Sequence, residues 1–208
     1  MSVLTKKIIC VMMAVITILA FAGCGNKANE EAQGSYTDLM VIDGLDLAVE
    51  EYGIGFRSGS DIVPEVDKII KELYEDGTLK KIAEKYDLKD NLSTPIDAVA
   101  AELNPESDLE YVKGKGKMTI GYTVYAPMNY TNDAGEFVGF DTEFAKAVCE
   151  KLGIEPEFVE INWDTKEVEL NAKNIDCIWN GMTITEERLE NMSITVPYMK
   201  NKQVMVSK

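Results

Sequence analysis

Arg188 carries a side chain whose chemistry suits a small anion. It ends the stretch Gly181-Met-Thr-Ile-Thr-Glu-Glu-Arg188, and its planar guanidinium can hold a carboxylate with two charge-assisted hydrogen bonds. Thr183 and the backbone N–H groups near Gly181 come just before a short helix that Thr185 can cap, where backbone amides favour an anion. From these residues alone, a solvated ion pair between Arg188 and a neighbouring glutamate is the simpler interpretation.

The composition excludes several classes of activity. The 208 residues include no histidine, and 21 Lys and Arg against 36 Asp and Glu give a net charge of −15. Without histidine, Ser-His-Asp and Cys-His catalysis are excluded, and the acidic balance argues against nucleic-acid binding. The four cysteines form no CxxC motif, so a zinc or redox motif has no support, and we expect neither a metal nor a cofactor. Cys149 and Cys177 could pair in an oxidising compartment, but burial as two small apolar side chains is the favoured interpretation.

The N-terminus has the pattern of a secretion signal. Two lysines precede an apolar run over 8–22 that is shorter than the roughly 20 residues needed to span a membrane. The run ends Leu19-Ala-Phe-Ala-Gly-Cys24, which resembles a bacterial lipoprotein cleavage box. This resemblance implies a signal peptide over 1–23 and an acylated Cys24, with an ordinary signal peptide or a signal anchor as the alternative. Residues 24–37 are mostly small and polar, so we expect a flexible tether.

The rest of the sequence divides into a first block (38–90), a connector (91–108) and a second block (109–208). The first block predicts a strand at 52–56, a capping loop at 57–61, a helix with apolar residues from Ile62 to Leu73 that Gly77 ends, and a second helix capped by Thr78. The second block predicts strands at 118–122, 157–161, 175–179 and 203–207, a hairpin at 130–138, a helix capped by Asp141, a helix at 164–172 opened by a capping box, and a short helix capped by Thr185. Strands alternating with helices indicate an α/β sheet with helices on both faces.

Several motifs of the second block resemble one protein family. In chain order they are Ile120-Gly-Tyr-Thr-Val-Tyr-Ala-Pro-Met128, Gly139-Phe-Asp-Thr-Glu-Phe-Ala145, Asn162-Trp-Asp164 and Asp176-Cys-Ile-Trp-Asn-Gly-Met-Thr-Ile-Thr-Glu-Glu-Arg188. Together they resemble the first lobe of the family 3 extracellular solute-binding proteins, the receptors of amino-acid ABC transporters. Two stretches of the first block, 51–61 and 75–86, resemble the segment that closes this lobe in the family.

The order of these segments differs from that of the family. There the body of lobe one comes first, a second lobe is inserted, and the closing segment returns to complete lobe one. Here the closing segment comes first, and the sequence stops at a stretch that resembles the crossing strand into lobe two. The resemblance therefore implies an α/β fold, a single lobe of the periplasmic-binding-protein type II, with a central, mostly parallel sheet flanked by helices and a permuted segment order.

The resemblance also implies a ligand site for an amino acid. Arg188, Thr183 and the backbone amides near Gly181 would hold the ligand carboxylate. Asn180 and Gly181 stand where the family has polar or small residues lining the pocket. Tyr125 and Trp163 match positions where the family places aromatic rings against the ligand side chain, and an aromatic wall suits an apolar or a cationic group. Core packing is the alternative for both rings.

The function implied is that of a lipid-anchored solute-binding component of an amino-acid ABC importer, at the extracytoplasmic face of the bacterial cell membrane. Its expected partners are an amino acid or similar small carboxylate, an ABC permease, and a second lobe from another chain or a partner protomer. In the family, that lobe supplies the acidic group for the ligand ammonium. The alternative is a truncated or remnant lobe that acts only as a structural or interaction protein. The same architecture hosts some dehydratases and lyases, but no residue here stands out as a catalytic acid, so we expect no enzymatic activity.

Overall fold

The computed structural model describes residues 40–97, 103–104 and 106–207. The expected signal peptide, the acylated Cys24 and the tether lie outside these residues. The described residues fall into two compact units, one of 48–202 and one formed by the described ends of the chain, 40–47 and 203–207. Within the described ranges, no helix is both long and apolar enough to cross a membrane.

The described elements alternate between strands and helices along the second block. In chain order they are β1 (Met40–Arg57), α1 (Ile62–Glu75), α2 (Thr78–Lys85), a 3-10 turn (Lys89–Asn91), α3 (Asp108–Lys115), β2 (Lys117–Tyr122), β3 (Tyr130–Thr131), β4 (Phe137–Val138), α4 (Phe140–Leu152), β5 (Glu155–Glu160), a 3-10 turn (Trp163–Thr165), α5 (Lys166–Asn171), β6 (Cys177–Thr183), α6 (Glu186–Asn191), β7 (Met192–Ile194) and β8 (Met199–Ser207).

The main sheet has the strand order β5-β2-β6-β1-β7, and β8 pairs with β1. Strand β2 runs parallel to both β5 and β6, whereas β1 runs antiparallel to β6 and β7. The expected α/β lobe, with parallel strands at the centre and helices packed against the sheet, is confirmed. Strand β1 is contributed by the first block and lies between two strands of the second block, so the two blocks share one sheet.

Strand β6 is buried on both faces, as its nearly continuous apolar sequence predicts. Cys177 and Trp179 face a large core that also contains residues of α1, α2 and α4. In this core the Phe144 ring packs edge-on against the Trp179 ring, with 5.0 Å between the two ring centres. Ile178 and Met182 face a smaller core on the opposite side. The direction of β6 therefore fixes where its last residues, Asn180 to Thr183, stand.

The cysteines in this core are unpaired. Cys149 and Cys177 are both buried and free, so the interpretation as small buried side chains is confirmed and the disulfide is not formed. Burial raises the pKa of the Cys149 thiol from 9.0 to about 12, which keeps the thiol protonated and unreactive near neutral pH.

The guanidinium of Arg57 at the end of β1 connects the two blocks. Its Nε and Nη2 donate to the Asp108 carboxylate at 2.9–3.0 Å. Its Nη1 donates to the carbonyls of Leu170 at 3.2 Å and Ile175 at 2.9 Å. Asp176, at the start of β6, lies 3.6 Å from Nη2. These contacts offset the cost of burying the guanidinium, and they hold the end of the connector against the sheet.

Three predicted helix caps are wrong. Thr78 is the first residue of α2, and Gly77, with φ of +79°, occupies the capping position. The capping box at Asp164 does not form, because a 3-10 turn capped by Asn162 precedes the shorter helix α5. Asp141 lies inside the first turn of α4, whose capping position is Gly139.

The Asp141 side chain is used for tertiary contacts instead. It is fully buried, and its Oδ2 accepts hydrogen bonds from the Gly181 N–H at 2.6 Å and from the Tyr198 hydroxyl at 3.1 Å. Burial raises the pKa of Asp141 from 3.8 to about 7, although both hydrogen bonds act to lower it. Asp141 therefore ties α4 to the end of β6 and to the residue before β8.

Replacing Asp108 by alanine should destabilise the fold strongly. The change removes the carboxylate that is hydrogen-bonded to the buried Arg57 and leaves it only the more distant Asp176 at 3.6 Å, so we expect the free energy of unfolding to fall by about 3 kcal/mol, measured by urea denaturation. Asp97→Ala is the control, since Asp97 also lies in the connector and pairs with Lys71 at 2.9 Å but is 91% exposed. That variant should be as stable as the parent, and an equal loss in both variants would contradict the assigned role of Arg57.

Stability should decrease as pH rises from about 4 to about 7. Burial raises the pKa of Asp141 to about 7 and that of Asp67 to about 6, so the folded state retains protons that the unfolded state has already released. In contrast, the hydrogen bond from Lys117 lowers the pKa of Glu157. Its contribution to stability is therefore complete above the pKa of the unfolded state and is lost only in more acidic solution. The measurement is the urea midpoint at several pH values.

Asp141→Asn should make this pH dependence shallower, because the amide oxygen can still accept both hydrogen bonds but does not titrate. Asp133→Asn is the control, since Asp133 lies on the exposed turn between β3 and β4. An unchanged slope in Asp141→Asn would show that another group binds the protons.

Candidate functional site

The end of β6 and the helix that follows it bring Arg188 back toward Thr183. The Thr185 hydroxyl accepts a hydrogen bond from the Arg188 N–H at 3.2 Å, so the predicted cap of α6 is confirmed. The Arg188 side chain then turns toward the strand, and its Nη1 donates to the Thr183 carbonyl at 2.5 Å. Both residues are half-buried, which leaves them accessible to a ligand.

The Trp163 ring lies beside Arg188. The guanidinium carbon is 5.8 Å from the centre of the ring, and the Lys166 Nζ is 5.0 Å from the same centre. Among the ion pairs of the described residues, none joins Arg188 to Glu186 or Glu187. The ion pair considered from the sequence is therefore not formed. Arg188 instead contacts the Thr183 carbonyl and lies beside the Trp163 ring, so those glutamates do not neutralise its charge.

Gly181 is packed between two tyrosine rings. Its φ is +56°, and a Cβ atom at this position would lie 3.1 Å from Cε1 of Tyr125 and 3.2 Å from Cε2 of Tyr52. The two hydroxyls are 3.5 Å apart. Because the Gly181 N–H already donates to Asp141, what Gly181 contributes is space for the rings and not a free amide for an anion.

Asn180 holds a loop in place. Its amide nitrogen donates to the Thr123 carbonyl and to Asn129 Oδ1, both at 2.8 Å. Its Oδ1 accepts from the Thr123 hydroxyl at 2.6 Å and from the Thr123 N–H at 3.2 Å. Asn180 is 5% exposed, so its side chain positions the loop that carries Tyr125 and has no remaining group to offer a ligand.

Two residues at this site come from β1 and were not singled out from the sequence. Tyr52 is buried against Gly181 and Tyr125, and the Oε2 atom of Glu50 accepts a hydrogen bond from the Thr183 hydroxyl at 3.4 Å. The signal for Tyr52 was present, since it lies in the stretch 51–61 that resembles the closing segment of lobe one. Glu50 lies just before that stretch, more than 130 residues from Thr183 in the sequence.

The expected site residues therefore form two adjacent groups. One contains Thr183, Arg188 and Trp163, and the other contains Gly181 and Tyr125, of which Tyr125 is 43% exposed. A cavity of about 310 Å³ lies near the other end of β6 and is lined by Arg57, Asn104, Glu106, Asp108 and Lys173. We place the candidate site at the Thr183 end because its guanidinium is accessible, whereas the Arg57 guanidinium already binds Asp108.

Known proteins resemble the part of the chain that carries this site. Residues 118–208 match the bacterial extracellular solute-binding proteins, family 3. A probable amino-acid ABC transporter-binding protein of Haemophilus influenzae is 42% identical over 40% of this chain and 33% of its own length. The L-cystine-binding protein of Escherichia coli is 32% identical over 50% of this chain and 40% of its own length.

A solved structure is also similar to part of this chain. It is a polar amino acid ABC uptake transporter substrate binding protein from Streptococcus thermophilus, 38% identical, with a TM-score of 0.37 over 39% of this chain and 31% of that chain. The chain thus spans about a third to two fifths of the length of the relatives it matches. Residues 118–208 of this chain, which include all the expected ligand-binding residues, are thus similar to the family 3 bacterial extracellular solute-binding proteins.

Proposed function

We propose that this chain is the amino-acid-binding component of an ABC importer, and that Arg188 binds the carboxylate of the ligand. The observation that carries the proposal is the position of Arg188 next to Thr183 and Trp163, in the region that matches the solute-binding family. The contact of Nη1 with a carbonyl leaves the other guanidinium donors for a carboxylate, which accepts two parallel hydrogen bonds from such a fork.

The surroundings of Trp163 favour a neutral ligand side chain. Arg188 and Lys166 already place two positive charges near this ring. A cationic ligand group at the same ring would be repelled by both, whereas an apolar group would gain contact with the ring face. Tyr125, the more exposed of the two expected aromatic residues, would complete the wall on the Gly181 side.

The proposed architecture is that of lobe one with its segments in permuted order. The pairing of β1 with β6 and β7 supports this proposal, because the first block then completes the sheet of the second block. A second lobe, on another chain or a partner protomer, would cover the ligand, and an ABC permease would receive it. Acylation of Cys24 would hold the protein at the extracytoplasmic face of the membrane.

Arg188→Ala should weaken binding of amino acids. An open site on a single lobe should bind with a dissociation constant near 1 mM, about −4 kcal/mol, and loss of the guanidinium contact should raise that constant about fivefold. The measurement is calorimetric titration of the full chain in detergent with the 20 standard L-amino acids and L-cystine. Arg188→Lys should show an intermediate loss, because an ammonium keeps the charge but not the two-pronged geometry.

Lys166→Ala is the matched control. It removes one positive charge beside the same Trp163 ring but does not touch Thr183, so binding of a neutral amino acid should stay within about twofold. A folded chain that binds no amino acid would contradict the proposed function. That result would favour a lobe that acts only as a structural or interaction protein.

A further inference from the structure

The two oxygens of the buried Asp141 carboxyl have different surroundings. Oδ2 accepts hydrogen bonds from the Gly181 N–H at 2.6 Å and from the Tyr198 hydroxyl at 3.1 Å. Oδ1 makes no hydrogen bond in the described part of the chain. The Trp179 ring N–H lies close enough to favour the ionised carboxyl, but it also makes no hydrogen bond there. Neutral donors on one oxygen only leave the cost of burying the negative charge partly uncompensated.

The other titratable groups that face Asp141 are two tyrosines. Tyr198 comes from the segment before β8 and Tyr52 from β1. Burial raises the pKa of both phenols, and the negative charge of Asp141 raises it further, as Glu50 does for Tyr52. Both phenols therefore stay neutral near pH 7. The other acidic residue in the first turn of α4, Glu143, pairs with a lysine instead. Asp141 is thus the group of this cluster that changes charge near neutral pH.

Protonation of Asp141 would weaken the hydrogen bond that holds Gly181. The ionised carboxylate accepts both of its hydrogen bonds with the help of its charge. A proton on Oδ2 would be donated to the Tyr198 hydroxyl, which leaves the Gly181 N–H a weaker, neutral acceptor. A proton on Oδ1 would be buried without an acceptor, which is also costly. In either form the bond to the Gly181 N–H loses its assistance from charge.

Gly181 connects this carboxyl to the residues that face the ligand. Its backbone has a φ of +56° and lies against the rings of Tyr52 and Tyr125. Two residues further along β6, the Thr183 carbonyl accepts a hydrogen bond from Nη1 of Arg188. A less firmly held Gly181 therefore leaves the aromatic wall and the expected carboxylate-binding residue less ordered. Ordering them when the ligand binds costs part of the binding free energy.

We propose that the ionised form of Asp141 is the form that binds the amino acid, so that ligand binding releases a proton from a residue that the ligand does not touch. The inference rests on the proposed function and adds its dependence on pH. Arg188 stays charged in this range and the carboxylate of the ligand is already ionised, so neither accounts for a change near pH 7. Affinity for the ligand rises with pH, whereas the stability of the empty chain falls, because the empty fold retains the proton.

The test is calorimetric titration of the full chain in detergent at several pH values from 5.5 to 8. The probe is the standard L-amino acid that the chain binds most tightly, leaving out histidine and cysteine, whose side chains titrate in or near this range. Burial raises the pKa of Asp141 to about 7, so the affinity should rise by about fivefold or more between pH 5.5 and pH 8. At pH 7, buffers of different ionisation enthalpy should reveal the release of up to about half a proton per ligand.

Asp141→Asn should remove this dependence. The amide oxygen accepts without a charge, so the variant should bind at every pH with about the affinity that the parent has at pH 5.5, and binding should release no proton. Asp67→Asn is the matched control, because burial also raises the pKa of Asp67, to about 6. Its carboxyl accepts from the Val196 N–H at 2.8 Å and not from the site. This control should alter the pH dependence of stability and keep that of binding.

Tyr198→Phe tests the same link in a chain that keeps the carboxyl. Loss of the hydroxyl removes a hydrogen bond that lowers the pKa of Asp141, so the midpoint of the affinity profile should move to higher pH. This variant decides the matter if Asp141→Asn does not fold, as judged by urea denaturation. An unmoved midpoint would overturn the role of Asp141.

The parent chain separates this role from the proposed function. If the parent binds an amino acid with an affinity that is constant or falls as pH rises, the role of Asp141 is overturned and the proposed function stands. The same conclusion follows if Asp67→Asn and Asp141→Asn change binding equally. If the folded parent binds no amino acid at any of these pH values, both are overturned.

Discussion

The position of β1 between β6 and β7 is the constraint on which the rest of the structure depends. The strand comes from the first block, so the sheet of the second block is complete only when the first block is docked. Close packing enforces this arrangement. A Cβ atom at Gly53 would lie 2.6 Å from the Ile194 side chain, and one at Gly55 would lie 2.7 Å from Met192. The two glycines therefore serve strand packing, in agreement with their interpretation as part of a strand, and the docked strand brings Glu50 and Tyr52 to the end of β6.

Two buried charged residues stabilise this arrangement in different ways. Arg57 is surrounded by the Asp108 and Asp176 carboxylates and two carbonyls, so its charge is compensated where it lies. Asp141 is met by neutral donors, the Gly181 amide and the Tyr198 hydroxyl, and its pKa is raised because these bonds do not offset the cost of burial. Burial of Asp141 among neutral donors lowers the free energy of unfolding near neutral pH. The same carboxylate nevertheless fixes the backbone of Gly181, against which both tyrosine rings pack. The position of Gly181 at the candidate site is thus maintained at a cost in overall stability.

The sequence predicted best the elements whose pattern is local. Helix α1 has a regular apolar face, β6 a continuous apolar run, and the Thr185 cap lies three residues from the amide it binds, so all three were predictable. Helix α3 was missed because Val112 is its one buried apolar residue and Gly114 lies in its last turn. The Asp141 cap was wrong because its carboxylate bonds to Gly181, 40 residues away. Asn180 and Glu50 likewise depend on partners that no local pattern reveals.

The exposure of the site determines what a covering surface would add. Arg188 is half-buried and Tyr125 is 43% exposed, so a carboxylate bound there competes with water, and each charged contact is weak. A second lobe that excluded water would strengthen these contacts, because charges attract more strongly at lower effective dielectric. Burying a charge without a partner would cancel that gain. A ligand carboxylate that paired with the Arg188 guanidinium would avoid this cost, because each of the two charges would then be buried with its partner. Closure by a second lobe would in that case need to supply exclusion of water and shape around this pair.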